Sequence, residues 1–321
     1  MNRHLSLLLI LAITLGLLSG CGSDAAPTEE DDGALRVIST IFPGYDFARA
    51  VGGEHIHLSM LLSPGSESHS FEPTPQDIIA IQNCDVFLYV GGESDSWVDG
   101  ILDSMDTSGM TILPMLELVE VVEEELVEGM QGEHDEHEDE DGAHEIELDE
   151  HVWTAPLNAL RIVRAIESTL CGLDLDNAEA YHANANAMAA GLEALDADLR
   201  AVAEQAARKT LVFGDRFPFR YLADAYGLNY SAAFPGCSTE TEASAKTVAF
   251  LIDKVRDEAI PVVFHIEFSN GKTADTICES TGAKKLQLHS CHNVTNDDFK
   301  SGATYLSLMA QNIQNLKEAL S

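Results

Sequence analysis

Beyond Gly33 the chain keeps a steady rhythm, in which short apolar runs alternate with stretches whose apolar residues recur every three or four positions. "LRVIST" (35–40) predicts a strand, and "PGYDFARAVGG" a helix opened by Pro43 and closed by Gly52 and Gly53. "IHLSMLLS" (56–63) predicts a second strand. In "TPQDIIAIQNC", Thr74 stands as N-cap, Pro75 at the first helical position and Asp77 three residues after the cap, the spacing of a capping box. "DVFLYVGG" (85–92) adds a strand and "DSWVDGILDSM" a helix, and the first lobe ends near Glu128. Strands alternating with helices predict a parallel sheet covered on both faces.

From Pro156 to about Arg208 the rhythm lengthens. "APLNALRIVRAIESTLCGLD" is amphipathic, and "NAEAYHANANAMAAGLEALDADLRAVAEQAA" is an alanine-rich continuation with strong helix propensity. His182, inside it, reads as a surface residue. The alternation then resumes. "TLVFG", "NYSAAF", "PVVFHIEF" and "KKLQLHS" predict strands, separated by the helices "PFRYLADAYGL", "ETEASAKTVAFLIDKVRDEA" and "KTADTICESTGA" and closed by "ATYLSLMAQNIQNLKEAL". The predicted fold class is α/β, with two parallel-sheet lobes joined by long helix. The N-terminal lobe covers 35–155 with a His- and acid-rich loop at 129–150, the linking helices 156–208, and the C-terminal lobe 209–321.

Upstream, "MNRH" and the apolar "LSLLLILAITLGLLSG" fit a signal peptide over 1–20, too short to span a bilayer comfortably. "LSGC" looks like a bacterial lipobox, which makes Cys21 the lipidated residue of the mature chain; the plainer alternative is a signal peptide cleaved elsewhere. Residues 21–34 then form a polar tether, and no second hydrophobic span follows. The expectation is an exported protein held to the outer face of the cell membrane by its N-terminal lipid alone.

Asp and Glu total 54 against 18 Lys and Arg, a formal charge of −36. Such a surface repels nucleic acid and anionic lipid heads and attracts cations. Much of the excess lies in "GEHDEHEDEDGAHEIELDEHVWTAP" (132–156). His134, His137 and His144 sit in its low-complexity part, whereas His151 falls where foldable sequence restarts. Of the cysteines after Cys21, Cys84, Cys171 and Cys278 read as small buried or helical side chains. Cys237 and Cys291 both follow predicted strand ends. In an exported protein a disulfide between them is the leading expectation, against free thiols or a thiolate ligand.

Open parallel sheets bind ligands beyond the carboxyl ends of their strands. Reading past those ends picks out His69 in "PGSESHSFEPTP", His151, Asp215 after strand 210–213, Glu267 after 261–266 and His289 after 284–288. Taken singly, each has an ordinary reading as a solvated loop histidine, a helix cap or an ion-pair partner. Taken together they place metal-capable groups along one edge of both lobes. Three imidazoles with a carboxylate or water in the fourth place make a tetrahedral zinc site, whereas carboxylate-dominated sites favour manganese or magnesium.

These residues carry a resemblance. "PGSESHSFEPTPQDI", "YVGGESDSWVD", "DEHVWTAP", "AAFPGCSTETEAS", "HSCHNVT" and "YLSLMAQNIQNLKEAL" make essentially the whole chain similar to the solute-binding lipoproteins of bacterial ABC-type zinc and manganese importers, above all the zinc branch. The resemblance implies a rigid helical bridge and metal held between the lobes. It also implies His69 and His151 as N-lobe ligands, and hand-over to a membrane permease driven by an ATPase. It implies that His134, His137 and His144 belong to a mobile His- and acid-rich loop, which either collects cations weakly or is a passive solvated loop. The chain departs from the family where a His or Glu in a motif like HxAFGYF is usual: "FGDRFPFRY" puts Gly214 there, with Asp215 beside it. The last position, more often Asp in the family, falls on His289. The expected set is therefore His69, His151 and His289, completed by Asp215, Glu267 or water, with His292 as the substitute for His289. Zn²⁺ is the expected cargo of a monomeric, non-catalytic binding protein. The alternatives are Mn²⁺ as cargo, an exported zinc hydrolase (which would lack HExxH spacing), and a surface adhesin with a metal site.

Overall fold

The computed structural model describes residues 33–67, 71–130, 147–238 and 242–321. The expected signal peptide, Cys21 and its tether, His69, and the loop histidines His134, His137 and His144 lie outside the described residues.

Two four-stranded parallel sheets repeat one topology. The first joins β1 (Leu35–Ser39), β2 (Ile56–Met60), β3 (Val86–Tyr89) and β4 (Thr111–Pro114) in the order β2-β1-β3-β4. The second joins β5 (Thr210–Phe217), β6 (Asn229–Pro235), β7 (Val262–His265) and β8 (Lys284–Gln287) in the order β6-β5-β7-β8. In the first sheet Val37 pairs with both Leu58 and Val86, and in the second Phe213 pairs with both Ala232 and Phe264. Parallel neighbours require crossovers, and helices α1 (Phe42–Gly52), α2 (Pro75–Gln82) and α3 (Ser96–Leu102) supply them in the first lobe. The predicted capping box on α2 is formed: the Thr74 hydroxyl accepts from the Asp77 amide, and the Asp77 carboxylate accepts from the Thr74 amide at 2.8 Å.

The linking region is two helices, α4 (Pro156–Leu173) and α5 (Ala178–Gln205). They break where Asp174 takes hydrogen bonds from the Asn177 side chain at 2.7 Å and the Tyr181 hydroxyl at 2.8 Å. α5 buries Tyr181, Ala185, Met188, Leu192, Leu195, Leu199 and Val202, alternating steps of four and three that keep one stripe against the rest of the molecule. At 1.5 Å per residue this 28-residue helix is about 42 Å long, a stiff spine for both lobes. His182 lies on its outer side and pairs with Glu167 at 2.6 Å, an ordinary surface contact as expected. The second lobe completes its layers with α6 (Arg220–Tyr226), α7 (Ala245–Asp257), α8 (Lys272–Thr281), α9 (Asn296–Ser301) and α10 (Tyr305–Leu320).

One continuous apolar cluster runs through both lobes and the spine, taking in Val37, Phe47, Trp153, Leu192, Phe213, Phe264 and Met309. The lobes thus share a core as well as a spine. No helix among the described residues is long and apolar enough to cross a membrane.

Candidate metal-binding cleft

The first lobe delivers His151 through a short antiparallel contact. Glu123 bridges Leu148, with Glu124 N–H donating to Glu147 O at 2.9 Å and Asp149 N–H to Val122 O at 3.0 Å. A single 3₁₀ turn, Val152–Thr154, follows and drives Trp153 fully into the core. His151 itself is fully buried. Its amide donates to Asp149 Oδ1 at 2.9 Å, and its Nδ1 lies 3.2 Å from the same oxygen. An Nδ1–H given to that carboxylate leaves Nε2 as the lone-pair nitrogen, the usual arrangement behind a metal-binding imidazole. Burial pulls the ring toward neutrality, but Asp149, with Glu150 and Glu124 beyond it, outweighs this and holds the imidazole pKa above its ordinary value. Glu150 is turned the other way, accepting from Ser94 N–H at 2.9 Å. It packs over Gly92, where a Cβ would stand 2.5 Å from its Oε1; with φ at +81° that position suits only glycine.

The second lobe approaches through the loop after β8. Asn312 grips it at both ends of one residue, accepting from His289 N–H at 2.8 Å and donating to His289 O at 2.7 Å. Ser290 is bound through its amide (2.8 Å) and its hydroxyl to the Glu267 carboxylate. Cys291 then takes a positive φ of 62°, which reverses the chain direction and turns His292 into the cleft. The ring of His292 stands 5.4 Å from that of His151, nearly perpendicular at 88°, and 5.1 Å from Trp153.

Between these groups lies a small open cavity lined by His151, His292, Glu267, Arg216, Glu67 and Ser66 among others. His69, two residues beyond Glu67 in the chain, is outside the described residues. Among the described residues no three His, Cys, Asp or Glu side chains converge closely enough to hold a metal ion. What comes together is two imidazoles from opposite lobes, with Glu267 at their side.

The remaining expected groups are placed differently. His289 does not line the cavity; its Nδ1 accepts from Cys291 N–H at 2.9 Å and lies 3.6 Å from Glu267 Oε1, so it stands behind Glu267. Asp215 does not line it either. β5 continues past Phe213 through a bulge to Phe217, so Asp215 falls inside the strand. There its carboxylate accepts from Arg216 N–H at 2.9 Å and Ile266 N–H at 3.4 Å, tying β5 to the end of β7, and burial raises its pKa. The bulge sends Arg216 into the cleft in its place. Cys237 and Cys291 are both free thiols, not the expected disulfide. Cys291 Sγ turns to His289 O at 3.8 Å, while the Cys237 amide donates to Glu124 Oε1 at 3.1 Å. Burial raises both thiol pKa values, which keeps them protonated.

Sequence reasoning missed Arg216, Glu67 and the orienting Asp149. "DEH" carried the signal for Asp149, because an Asp two residues before a histidine can reach back to its ring. Nothing in the linear pattern signals Arg216.

Two similar parallel-sheet lobes facing each other across a side-chain-lined cleft, with a long helix as spine, define the class of two-lobed solute-binding proteins. The chain belongs to the family described as "Zinc-uptake complex component A periplasmic", whose model matches residues 37–319. It is similar to the zinc-binding lipoprotein AdcA of Streptococcus pneumoniae serotype 4, 30% identical over 325 residues that cover 98% of this chain and 61% of that protein. It is also similar to the high-affinity zinc uptake system protein ZnuA of Bacillus subtilis strain 168, 29% identical over 322 residues that cover 100% of this chain and 99% of that protein. Among solved structures, the Zn(II)-bound ZnuA-like domain of S. pneumoniae AdcA matches with a TM-score of 0.73 and 27% identity, over 90% of this chain and 99% of that domain. The chain therefore spans 61% of the length of the pneumococcal AdcA proteins and nearly all of the Bacillus protein.

Proposed function

We propose that this chain captures Zn²⁺ in the inter-lobe cleft and hands it to the permease of an ABC importer, whose ATPase drives uptake. The observation that carries the reading is the pairing of His151 and His292 at 5.4 Å from opposite lobes. Two imidazoles sharing one tetrahedral zinc, with Zn–N near 2.0–2.1 Å, bring their ring centroids to about 5 Å. His69 is the third ligand, reached through the loop that Glu67 and Ser66 begin, and Glu267 or a water takes the fourth place. His289 supports Glu267 from behind and Asp215 fixes the strand bulge; neither is a ligand in this reading. An imidazole-rich set favours zinc over manganese. The names of the zinc-binding relatives AdcA and ZnuA support the same cargo.

The protein acts outside the cytoplasm, anchored by a lipid on Cys21, and works as a monomer that binds without turnover. Its working parts are the N-lobe 35–155, the linking helices 156–208 and the C-lobe 209–321, and the histidines of the acidic loop collect cations at low affinity. The test is a competitive titration of metal-free protein with Zn²⁺ against excess Mn²⁺ and a calibrated chelator. One tight zinc site per chain that survives the manganese supports the reading; manganese binding as well or better refutes it.

A further inference from the structure

The segment "RFPFRY" (216–221) belongs to the C-lobe, yet three of its side chains hold N-lobe segments that lead to histidines. The Tyr221 hydroxyl donates to Asp149 O at 2.8 Å, two residues before His151. Arg220 pairs with Glu125, on the strand-like stretch that leads toward the acidic loop. Arg216 spans the cleft itself: its two terminal nitrogens lie 3.3 and 3.4 Å from the two oxygens of Glu67, two residues before His69. It is set in place from its own side, because Nη1 also donates to Ser238 O at 3.2 Å and the side chain is only 10% exposed. Glu67, by contrast, is 39% exposed. The arginine is thus the fixed half of the pair and the loop glutamate the half that is caught. A fork-shaped cation meeting both oxygens of one carboxylate constrains direction as well as distance.

A guanidinium in the lining of a cation cavity needs a reason to be there, since its charge opposes the cargo. Pairing with Glu67 cancels that charge within the lining and leaves the geometric effect of the pair. The loop from Ser63 to Glu67 is otherwise held by uncharged contacts from the C-lobe: Gly65 N–H donates to Val294 O at 2.8 Å, and Asn293 Nδ2 donates to Ser63 O at 2.8 Å and Ser66 O at 2.9 Å. These contacts fix the base of the loop. Among the described residues, Arg216 is the charged C-lobe group that meets the far end, at Glu67.

We infer that Arg216 is a positioning residue that latches the cleft across its mouth, by gripping Glu67 and holding the Ser63–Glu67 loop against the C-lobe. It sets how slowly the captured ion leaves and does not itself bind the ion. The inference rests on the zinc-capture reading for its consequence, but the latch is a property of the metal-free protein too.

The experiment compares wild type with R216K and with the double variant R216M/E67M, which removes the pair while leaving the net charge of the cleft unchanged. Zinc release into excess chelator is followed by stopped flow, and amide hydrogen exchange of 63–67 is measured on the metal-free proteins. The double variant is expected to keep one zinc per chain, to release it about tenfold faster, and to exchange Gly65 and Ser66 amides faster than wild type. R216K, with the charge but not the fork, falls between. Release from the double variant at the wild-type rate overturns the latch. If wild type binds no zinc, the capture reading fails, and exchange decides alone: faster exchange at 63–67 in the double variant upholds the latch, and unchanged exchange overturns it.

Discussion

The two lobes share a topology strand for strand, yet they meet the cleft with different chemistry. Each anchors amides near its strand ends on one buried carboxylate: Asp95 accepts from Val90 and Gly91 N–H just after β3 in the first lobe, at 2.7 and 3.2 Å, and Asp215 accepts from Arg216 N–H in β5 and Ile266 N–H just after β7 in the second. Beyond those ties they diverge. The first lobe offers a buried histidine oriented by Asp149; the second offers a histidine on a tight turn and two arginines reaching across. A repeated scaffold thus fixes where the groups stand, and the residues just after the strands decide whether a lobe binds the cargo or grips the other lobe.

The seam between the lobes is where this comparison breaks most easily. Trp153 of the first lobe is fully buried, donates to Ser290 O at 2.7 Å in the second, and offers its own carbonyl to the Tyr305 hydroxyl at 2.6 Å. W153A should lower unfolding stability by about 3–5 kcal/mol in urea, with W153F costing about 1–3 for the orphaned Ser290 carbonyl. A loss below about 1 kcal/mol for W153A would show that the lobes do not share a core. Next in size come the histidines. H151A and H292A should each weaken zinc binding about a hundredfold or more by competitive titration, and H289A about tenfold or less, since it acts through Glu267. Equal losses at 289 and 292 would remove the distinction between a lining residue and a supporting one.

The buried carboxylate Asp95 gives a pH-dependent effect with a definite sign. Burial, reinforced by Glu150 and only partly offset by the Val90 and Gly91 amides, pushes the Asp95 carboxyl up to about 6. Its folded pKa lies above the unfolded one, so folding favours the protonated form. The stability it contributes is complete below about pH 4 and is lost as pH rises through about 6. Melting curves of wild type should therefore lose about 3 kcal/mol against D95N between pH 4 and pH 7; parallel curves would contradict this. The smallest effect concerns the acidic loop. Its ends are already joined by the Glu124–Glu147 and Asp149–Val122 backbone bonds, so deleting 131–146 should change tight zinc affinity by less than about threefold while removing weaker binding beyond one equivalent.

Much of the architecture was legible in the sequence, because buried parallel strands and amphipathic helices write their periods directly into it. The strand β4 was not: "TILP" is four half-buried residues ending in proline, too short to separate from a loop. Nor was α9, whose "NDDFKS" carries no apolar stripe and is defined by the Thr295 cap. On the C-lobe the candidate site was legible to within three residues and no better. Asp215 was expected at a strand end, but a bulge, which leaves no linear trace, extended β5 and exchanged it for Arg216. The sequence favours His289 over His292 because it stands at the end of the predicted strand and falls on the last ligand position of the family. The positive φ at Cys291, which leaves His292 and not His289 lining the cavity, depends on the loop's tertiary contacts.

The most direct test of the account is X-ray absorption at the zinc K-edge on protein loaded with one equivalent, in wild type and H292A. Three imidazole nitrogens near 2.0 Å are expected in wild type, falling to two in H292A. A shell dominated by carboxylate oxygen, or an imidazole count unchanged in H292A, would contradict it.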